Sequence, residues 1–272
     1  MAHELRFLAG RPVNVGFVSR AELLGQGVFE TMRWQGGIPL LPWHIHRLKQ
    51  GAQQLGYGPD QVATSFLAEL EQVTADLELH RQHVVRYQLS HVQAERGYAA
   101  KAGDLTSLWQ VSDAPQTVVS CVKGVEFDPV AMTTDPLSVS KHVNRLDQVL
   151  AAQRCAGKTW LRCDAQGYVR EGLSSNLFFS RHGIVYTPRL EHWGVAGVLR
   201  AWLIDYLRTQ KIPVVIGDFL PSAVLSAESV WLTNAVRGIQ LIENMGTTPF
   251  SVTSPLVTKV REAVFELFYE NP

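Results

Sequence analysis

Cysteine is scarce in this 272-residue chain: Cys121, Cys155 and Cys163 are an odd number at irregular spacing, with no Cys-x-x-Cys pair. That excludes a disulfide framework and a cysteine-built zinc site, and it suits reduced thiols in a cytoplasm. Long apolar runs are missing too, so no membrane span is expected. The opening MAHELRF carries charges and no apolar stretch, so no secretory leader is expected either. Neither sign of charge is in excess, since 25 Lys+Arg stand against 25 Asp+Glu without a basic run. A dedicated binder of nucleic acid or anionic membrane would need that bias. No G-x-S-x-G elbow, P-loop or dinucleotide fingerprint occurs. The nine histidines include His44 and His46, and His80 and His83. Helix positions two apart diverge by about 200°, so the first pair cannot share a metal on a helix, and no metal site is expected.

What is present is globular. Hydrophobic residues make up 46% of the chain and charged ones 18%, and a chain of this size buries about 70–75% of its unfolded surface. LRFLAGRPVNVGFVS reads as a hairpin bending at Gly10 and Pro12, and GQGVFETMRWQGGIPLL as two strands joined at Gly36-Gly37. Pro42 opens a helix with Ile45, Leu48, Ala52 and Leu55 on one face, and a second helix follows Pro59. HVVRYQLS alternates Val85, Tyr87 and Leu89 with polar residues, as a half-buried strand does. The Ser-Asp-Ala-Pro-Gln stretch marks a linker, giving a small N-terminal domain over 1–114 and a larger one over 115–272. Beyond it come the strand TVVSCV and a helix near KHVNRLDQVLAAQ with Val143, Leu146, Val149 and Leu150 facing inward. A hairpin turning at 164–167, further apolar strands, the helix GVLRAWLIDYLRTQ and a last helix after Ser254-Pro255 complete the chain. Strands outnumber helices without strict alternation, so the fold class is α+β, or mixed α/β, in two lobes.

Lysine is the informative residue type, because the chain has only seven. Lys141 stands apart: it follows the polar TTDPLSVS and precedes an apolar-periodic helix. A lysine becomes nucleophilic near neutral pH only when desolvated or set beside positive charge, and His142 and Arg145 are close in sequence. GVAGVLR enters a helix through glycines, and a helix N-terminus suits a phosphate. Arg47 within a helix and Glu171 after a hairpin are each ordinary surface residues when read alone.

Four blocks taken in order carry more: GQGVFETMRW with HIHRL, KHVNRLDQVLA, DAQGYVREGLSSNLFF, and YTPRLEHWGVAGVLR. Over nearly its whole length the chain resembles the class IV (fold type IV) pyridoxal-phosphate aminotransferase-like family. Within it the likeness is to the lyases, which read K-H-L-N-R where this chain has KHVNR; the aminotransferases tend to carry G-N-Y after the lysine. The resemblance implies a small N-terminal domain, a larger barrel-like C-terminal one, and pyridoxal 5'-phosphate between them. It implies Lys141 as the cofactor-bonding and catalytic lysine, Arg47 as the phosphate arginine and Glu171 as the carboxylate facing the pyridine nitrogen. Val198 and Leu199, and then Asn234 and Ala235, match two phosphate-contacting turns. Thr31 falls near the reacting centre as a second catalytic residue, and Phe29 and Arg96 match substrate-binding positions. The implied activity is elimination of pyruvate from an aminodeoxychorismate, leaving p-aminobenzoate for folate, by a cytoplasmic homodimer acting on a small molecule. The alternatives are a branched-chain or D-amino-acid aminotransferase and a non-catalytic relative. Two departures, Gln26 for an acid and Glu95 for a glycine, fall on the side the family turns to substrate.

Overall fold

A computed structural model describes residues 6–8, 11–13, 18–78, 81–93, 97–99 and 102–269. β1 (Arg6–Leu8) and β2 (Arg11–Val13) pair antiparallel, with Pro12 inside the second strand rather than at the bend. Helix α1 (Arg20–Leu24) is started by a reciprocal Ser19–Glu22 capping box and stopped by Gly25 in the left-handed region. β3 (Gly27–Trp34), α2 (Leu41–Gln54), α3 (Pro59–Thr74), β4 (His83–Gln93) and β5 (Ala102–Asp113) follow.

Strands β3, β4 and β5 form an antiparallel three-stranded sheet in that order. Its period-two alternation sends Val28, Met32, Val85, Tyr87 and Leu89 under α2 and α3, against Leu48, Ala52 and Phe66. Phe29 and Thr31, at the alternate positions of β3, line a cavity instead. The strand pair expected across Gly36-Gly37 does not form. The chain turns at Gly36 (φ +85°), Ile38 and Leu40 enter the core, and Leu41-Pro42 already begins α2. The three residues between Gly37 and Leu41 are too few for a strand, so β3 takes β4 as its partner.

The rest of the chain builds a second, larger sheet. Its elements are β6 (Val119–Val122), β7 (Glu126–Phe127), α4 (Leu146–Cys155), β8 (Trp160–Cys163), β9 (Val169–Gly172), β10 (Asn176–Arg181) and β11 (Ile184–Pro188). Then come α5 (Val198–Thr209), β12 (Val214–Gly217), α6 (Pro221–Leu225), β13 (Ser229–Asn234) and β14 (Gly238–Ile242). β15 (Asn244–Met245), β16 (Thr248–Pro249) and α7 (Pro255–Tyr269) close the chain. The nine-stranded order is β6-β14-β13-β10-β9-β8-β7, with β11 added to β10 and β12 to β11. β13 runs along one edge of β10, while β9 meets the other edge only at Asn176 and β11 takes that edge from Phe179 onward. The sheet therefore splits at β10 and curls, bringing Glu171 opposite Asn176 at the split. Alternation fills both sides: Phe178 and Trp231 pack with α5 and α7, while Leu177, Phe179 and Leu232 pack on the opposite face. Each such buried side chain contributes about 1.5–3 kcal/mol.

Helix α4 departs from expectation. Leu146, Val149 and Leu150 are 63%, 49% and 45% exposed, and the helix buries Ala151 and Cys155 instead. Lys141 lies five residues before α4, in a loop rather than at the helix start. That loop is held against β3, where Phe29 N–H donates to the Lys141 carbonyl at 2.8 Å and Val143 N–H to the Gly27 carbonyl at 2.9 Å. No helix among the described residues is long and apolar enough to cross a membrane.

Candidate active site

The curl of the large sheet, the N-terminus of α5 and the outer face of β3 enclose a cavity of about 390 Å³, within the size range of small-ligand sites. Phe29, Thr31, Arg47, Lys141, Glu171, Val198, Leu199, Asn234 and Ala235, nine of the ten residues singled out in the sequence, all line it. Arg96, and Glu95 beside it, lie outside the described residues. Gln26 does not line the cavity: its Oε1 accepts from Nε of buried Arg20 at 2.5 Å, a structural bond.

Lys141 Nζ sits 4.3 Å from the centroid of the Phe29 ring. Arg145 braces its backbone from both sides, donating from Nη2 to the Ser140 carbonyl (2.7 Å) and from Nε to the His142 carbonyl (2.8 Å). Burial, with Arg47 adding positive charge, pushes the lysine pKa down to about 7 against the partial opposition of Glu30. At neutral pH a large fraction of Lys141 is therefore the free amine, the form that bonds to an aldehyde.

Glu171 is buried at the β9–β10 junction. Its Oε2 accepts from Val195 N–H at 3.1 Å and from Asn176 Nδ2 at 3.3 Å, while Oε1 receives no hydrogen bond from the described residues. No cation lies within ion-pair distance of it among those residues. Burial raises its pKa to about 7, although the Val195 amide, Arg145 and Arg162 pull the other way. A buried carboxylate so placed favours a cationic or N–H partner from outside the protein.

The third corner of the cavity suits a phosphate. Helix α5 has Gly197 as its N-cap with no side-chain cap, which leaves its first amides for an anion. A Cβ on Gly197 would come within 1.8 Å of Asn176 Oδ1, and one on Gly194 within 2.7 Å of Glu171 Oε2, so a side chain at either would displace the Asn176 amide or the Glu171 carboxyl from the cavity wall. Arg47 projects there from α2, and its Nη1 donates to the Ala196 carbonyl at 2.9 Å.

Behind Arg47 stands Glu30, whose Oε1 accepts from Arg47 Nε at 2.8 Å and whose Oε2 accepts from Nη2 at 2.5 Å. Burial opposes ionisation of Glu30, but Arg47 and then His44 outweigh it and hold the carboxyl at about 2. His44 Nδ1 lies 2.6 Å from Glu30 Oε2; burial lowers its pKa more than Glu30 restores it, so a neutral ring donates from Nδ1. Sequence reading gives Glu30 no role and brings in His44 only as a metal candidate; His44 stands one helical turn before Arg47, but Glu30 meets it only through the fold. Arg200, its pKa lowered by burial to about 10, and Arg237 also line the cavity. Arg86 lies over the Phe29 ring at 4.6 Å. No signal in the sequence separated these arginines from solvated ones.

A buried lysine that can shed its proton near neutral pH, a buried glutamate with no ion-pair partner among the described residues and an arginine-backed anion cradle thus face one another across one cavity. The chain belongs to the class IV aminotransferase family, whose model matches residues 27–245, and enzymes of that family work with pyridoxal 5'-phosphate. Among its relatives, aminodeoxychorismate lyase from Vibrio harveyi is 31% identical over 89% of this chain and 92% of its own length. The crystal structure of 4-amino-4-deoxychorismate lyase from Pseudomonas aeruginosa superposes with a TM-score of 0.81, at 28% identity over 95% of this chain and 97% of that one. Branched-chain amino acid aminotransferase from Escherichia coli reaches 0.79, covering 96% of this chain and 93% of its own, at 20% identity. That likeness is one of fold alone.

Proposed function

We propose that this protein is an aminodeoxychorismate lyase: it binds pyridoxal 5'-phosphate in the cavity between its two sheets and releases p-aminobenzoate and pyruvate from 4-amino-4-deoxychorismate. The observation that carries the cofactor reading is the convergence on one cavity of desolvated Lys141, Glu171 without an ion-pair partner among the described residues, and the uncapped α5 N-terminus with Arg47. The likeness to the lyases carries the reaction.

The residues present fit the cofactor. Arg47, oriented by Glu30, would donate to the phosphate together with the amides of Val198 and Leu199 and the turn at Asn234 and Ala235. Glu171 would keep a proton on the pyridine nitrogen, and Lys141 would attach the group. When bound, pyridoxal phosphate supplies an electron sink for charge developing at the substrate carbon that carries the amine. Lys141 would act as the base for that carbon's proton, and a pKa near 7 suits an amine that both takes and returns a proton at neutral pH. Thr31, from the same strand as Phe29, offers a hydroxyl to the leaving oxygen, and Phe29 and Arg96 would hold substrate.

We assign the division into domains at 114/115, where the linker leaves β5. The exposed Leu146, Val149 and Leu150 of α4 support a homodimer that covers them. The product would supply folate synthesis in the cytoplasm. With 4-amino-4-deoxychorismate as substrate, pyruvate and p-aminobenzoate should appear one to one without any added keto acid. Fast amino transfer to an added keto acid, with no p-aminobenzoate accumulating, would replace this reading with an aminotransferase.

A further inference from the structure

Arg33 lies near the end of β3, 1% exposed; among the described residues it meets no carboxylate, only neutral oxygens and the Tyr269 side chain at the end of α7. Nε donates to Gln35 Oε1 at 3.2 Å and Nη1 to the Val236 carbonyl at 2.9 Å. Nη2 donates to the Pro115 carbonyl at 2.7 Å and to Gln82 Oε1. A buried guanidinium without a counter-ion is costly, and an apolar side chain of similar length would fill the space at lower cost. What distinguishes arginine here is the set of segments it joins.

Gln82 and Pro115 belong to the crossing between the two sheets, where Ala114 N–H also donates to the Gln82 carbonyl at 3.0 Å. Val236 belongs to the turn between β13 and β14. That turn is already held on one flank: Ile239 N–H donates to the Val118 carbonyl at 2.8 Å, and Gly238 (φ +65°) approaches so closely that a Cβ would lie 2.1 Å from that oxygen. Arg33 holds the other flank. Within the turn Asn234 Oδ1 takes the amides of Val236 (2.8 Å) and Arg237 (3.1 Å) and not that of Ala235, which lines the cavity.

We propose that Arg33 is a positioning residue for phosphate binding: by tying the Val236 carbonyl to the inter-sheet crossing, it fixes the turn that offers Ala235 to the cofactor's phosphate. Arg33 does not line the cavity and acts through the turn. The inference rests on the cofactor reading above and extends it to the structural link between the phosphate site and the first sheet.

The test compares pyridoxal 5'-phosphate with pyridoxal, which lacks the phosphate, as ligands of the full-length chain followed by absorbance. Arg33→Met keeps the stem and removes every donor, Arg33→Lys keeps one cationic donor group, and Gln82→Met removes an acceptor while sparing the Val236 bond. Arg33→Met frees the turn that carries Ala235, so the phosphorylated ligand should bind about tenfold more weakly. Pyridoxal affinity should stay close to wild type. Arg33→Lys should fall between, and Gln82→Met should lower the melting temperature without changing the ratio of the two affinities. Equal losses for both ligands, or no loss for either, would overturn the proposal. If Arg33→Met fails to fold, Arg33→Lys decides: a lowered ratio supports the role and an unchanged ratio refutes it. A wild-type chain that does not prefer the phosphorylated ligand would instead refute the cofactor reading itself.

Discussion

Glu30→Gln isolates the charge that supports Arg47. In the folded protein the carboxyl is held at about 2 against an ordinary 4.5. That difference is worth about 3 kcal/mol of stability at neutral pH, at roughly 1.4 kcal/mol per pH unit. The sign follows from proton counting: the unfolded chain takes up a proton near 4.5, the folded one only near 2. The contribution is therefore complete above about pH 5 and is lost as the pH falls towards 2. Replacing Glu30 with glutamine removes it and leaves the Arg47 guanidinium buried without its counter-ion, a change that in other proteins costs about 3–5 kcal/mol. At about 2–4 °C per kcal/mol for chains of similar size, the variant should melt roughly 6–20 °C below wild type at pH 7. Melts at a series of pH values should show that gap closing between pH 5 and pH 2. A gap below about 1 kcal/mol at pH 7, or one that persists unchanged at pH 3, would show that the pair contributes little and that Glu30 is not holding Arg47 as described.

Gly197→Ala should abolish stable cofactor retention while the chain stays folded, because its Cβ would meet Asn176 Oδ1 at 1.8 Å at the helix N-cap; dialysis followed by an absorbance spectrum checks this, and full retention would remove Gly197 from the cradle. In cofactor-free protein Lys141 should react with amine reagents with a midpoint near pH 7, the free amine rising with pH through its lowered pKa. A midpoint above 9, read by mass spectrometry of the labelled peptide, would mean that its amine is solvated. Leu150→Glu, on the exposed apolar face of α4, should turn a dimer into a 30.3 kDa monomer by sedimentation; a wild-type chain that is already monomeric would dispose of the interface.

The legible parts of the sequence were those where one local rule decided. Helices α2 and α3 follow from a proline at the start and one apolar stripe each, and β4 from alternation alone. The hairpin of β8 and β9 follows from the residues at its turn. The failures were non-local. Gly36-Gly37 is a sound turn signal, yet the partner of β3 lies about fifty residues further on in β4. The apolar residues of α4 repeat as a core face should, and nothing in one chain's sequence distinguishes a stripe buried within the subunit from one left at its surface. Strand β14 went unread because GIQLI is short and its neighbours, β13 and β6, lie on either side of it in space only.

The same contrast governs the site. The cofactor side is built from backbone features with strong local signatures: a glycine-led helix start at α5, a hairpin ending in Glu171, and an asparagine turn after β13. These are demands of a phosphate and a pyridine ring, so a lyase and an aminotransferase meet them alike. It follows that the two folds cannot be told apart by superposition, and TM-scores of 0.81 and 0.79 do not separate them. Identity moves a little, from 17–25% with aminotransferases to 25–31% with the lyases. The proposed reading puts the choice of reaction on the outer face of β3 and β4, which lines the same cavity away from the phosphate corner. There Thr31 pairs with Arg86 across the two strands, and Arg86, Lys141 and Arg145 all lie against the Phe29 ring. Substitutions that exchange one activity for the other are thus expected on that face, and substitutions around Glu171, Gly197 or Arg47 should lower both activities together.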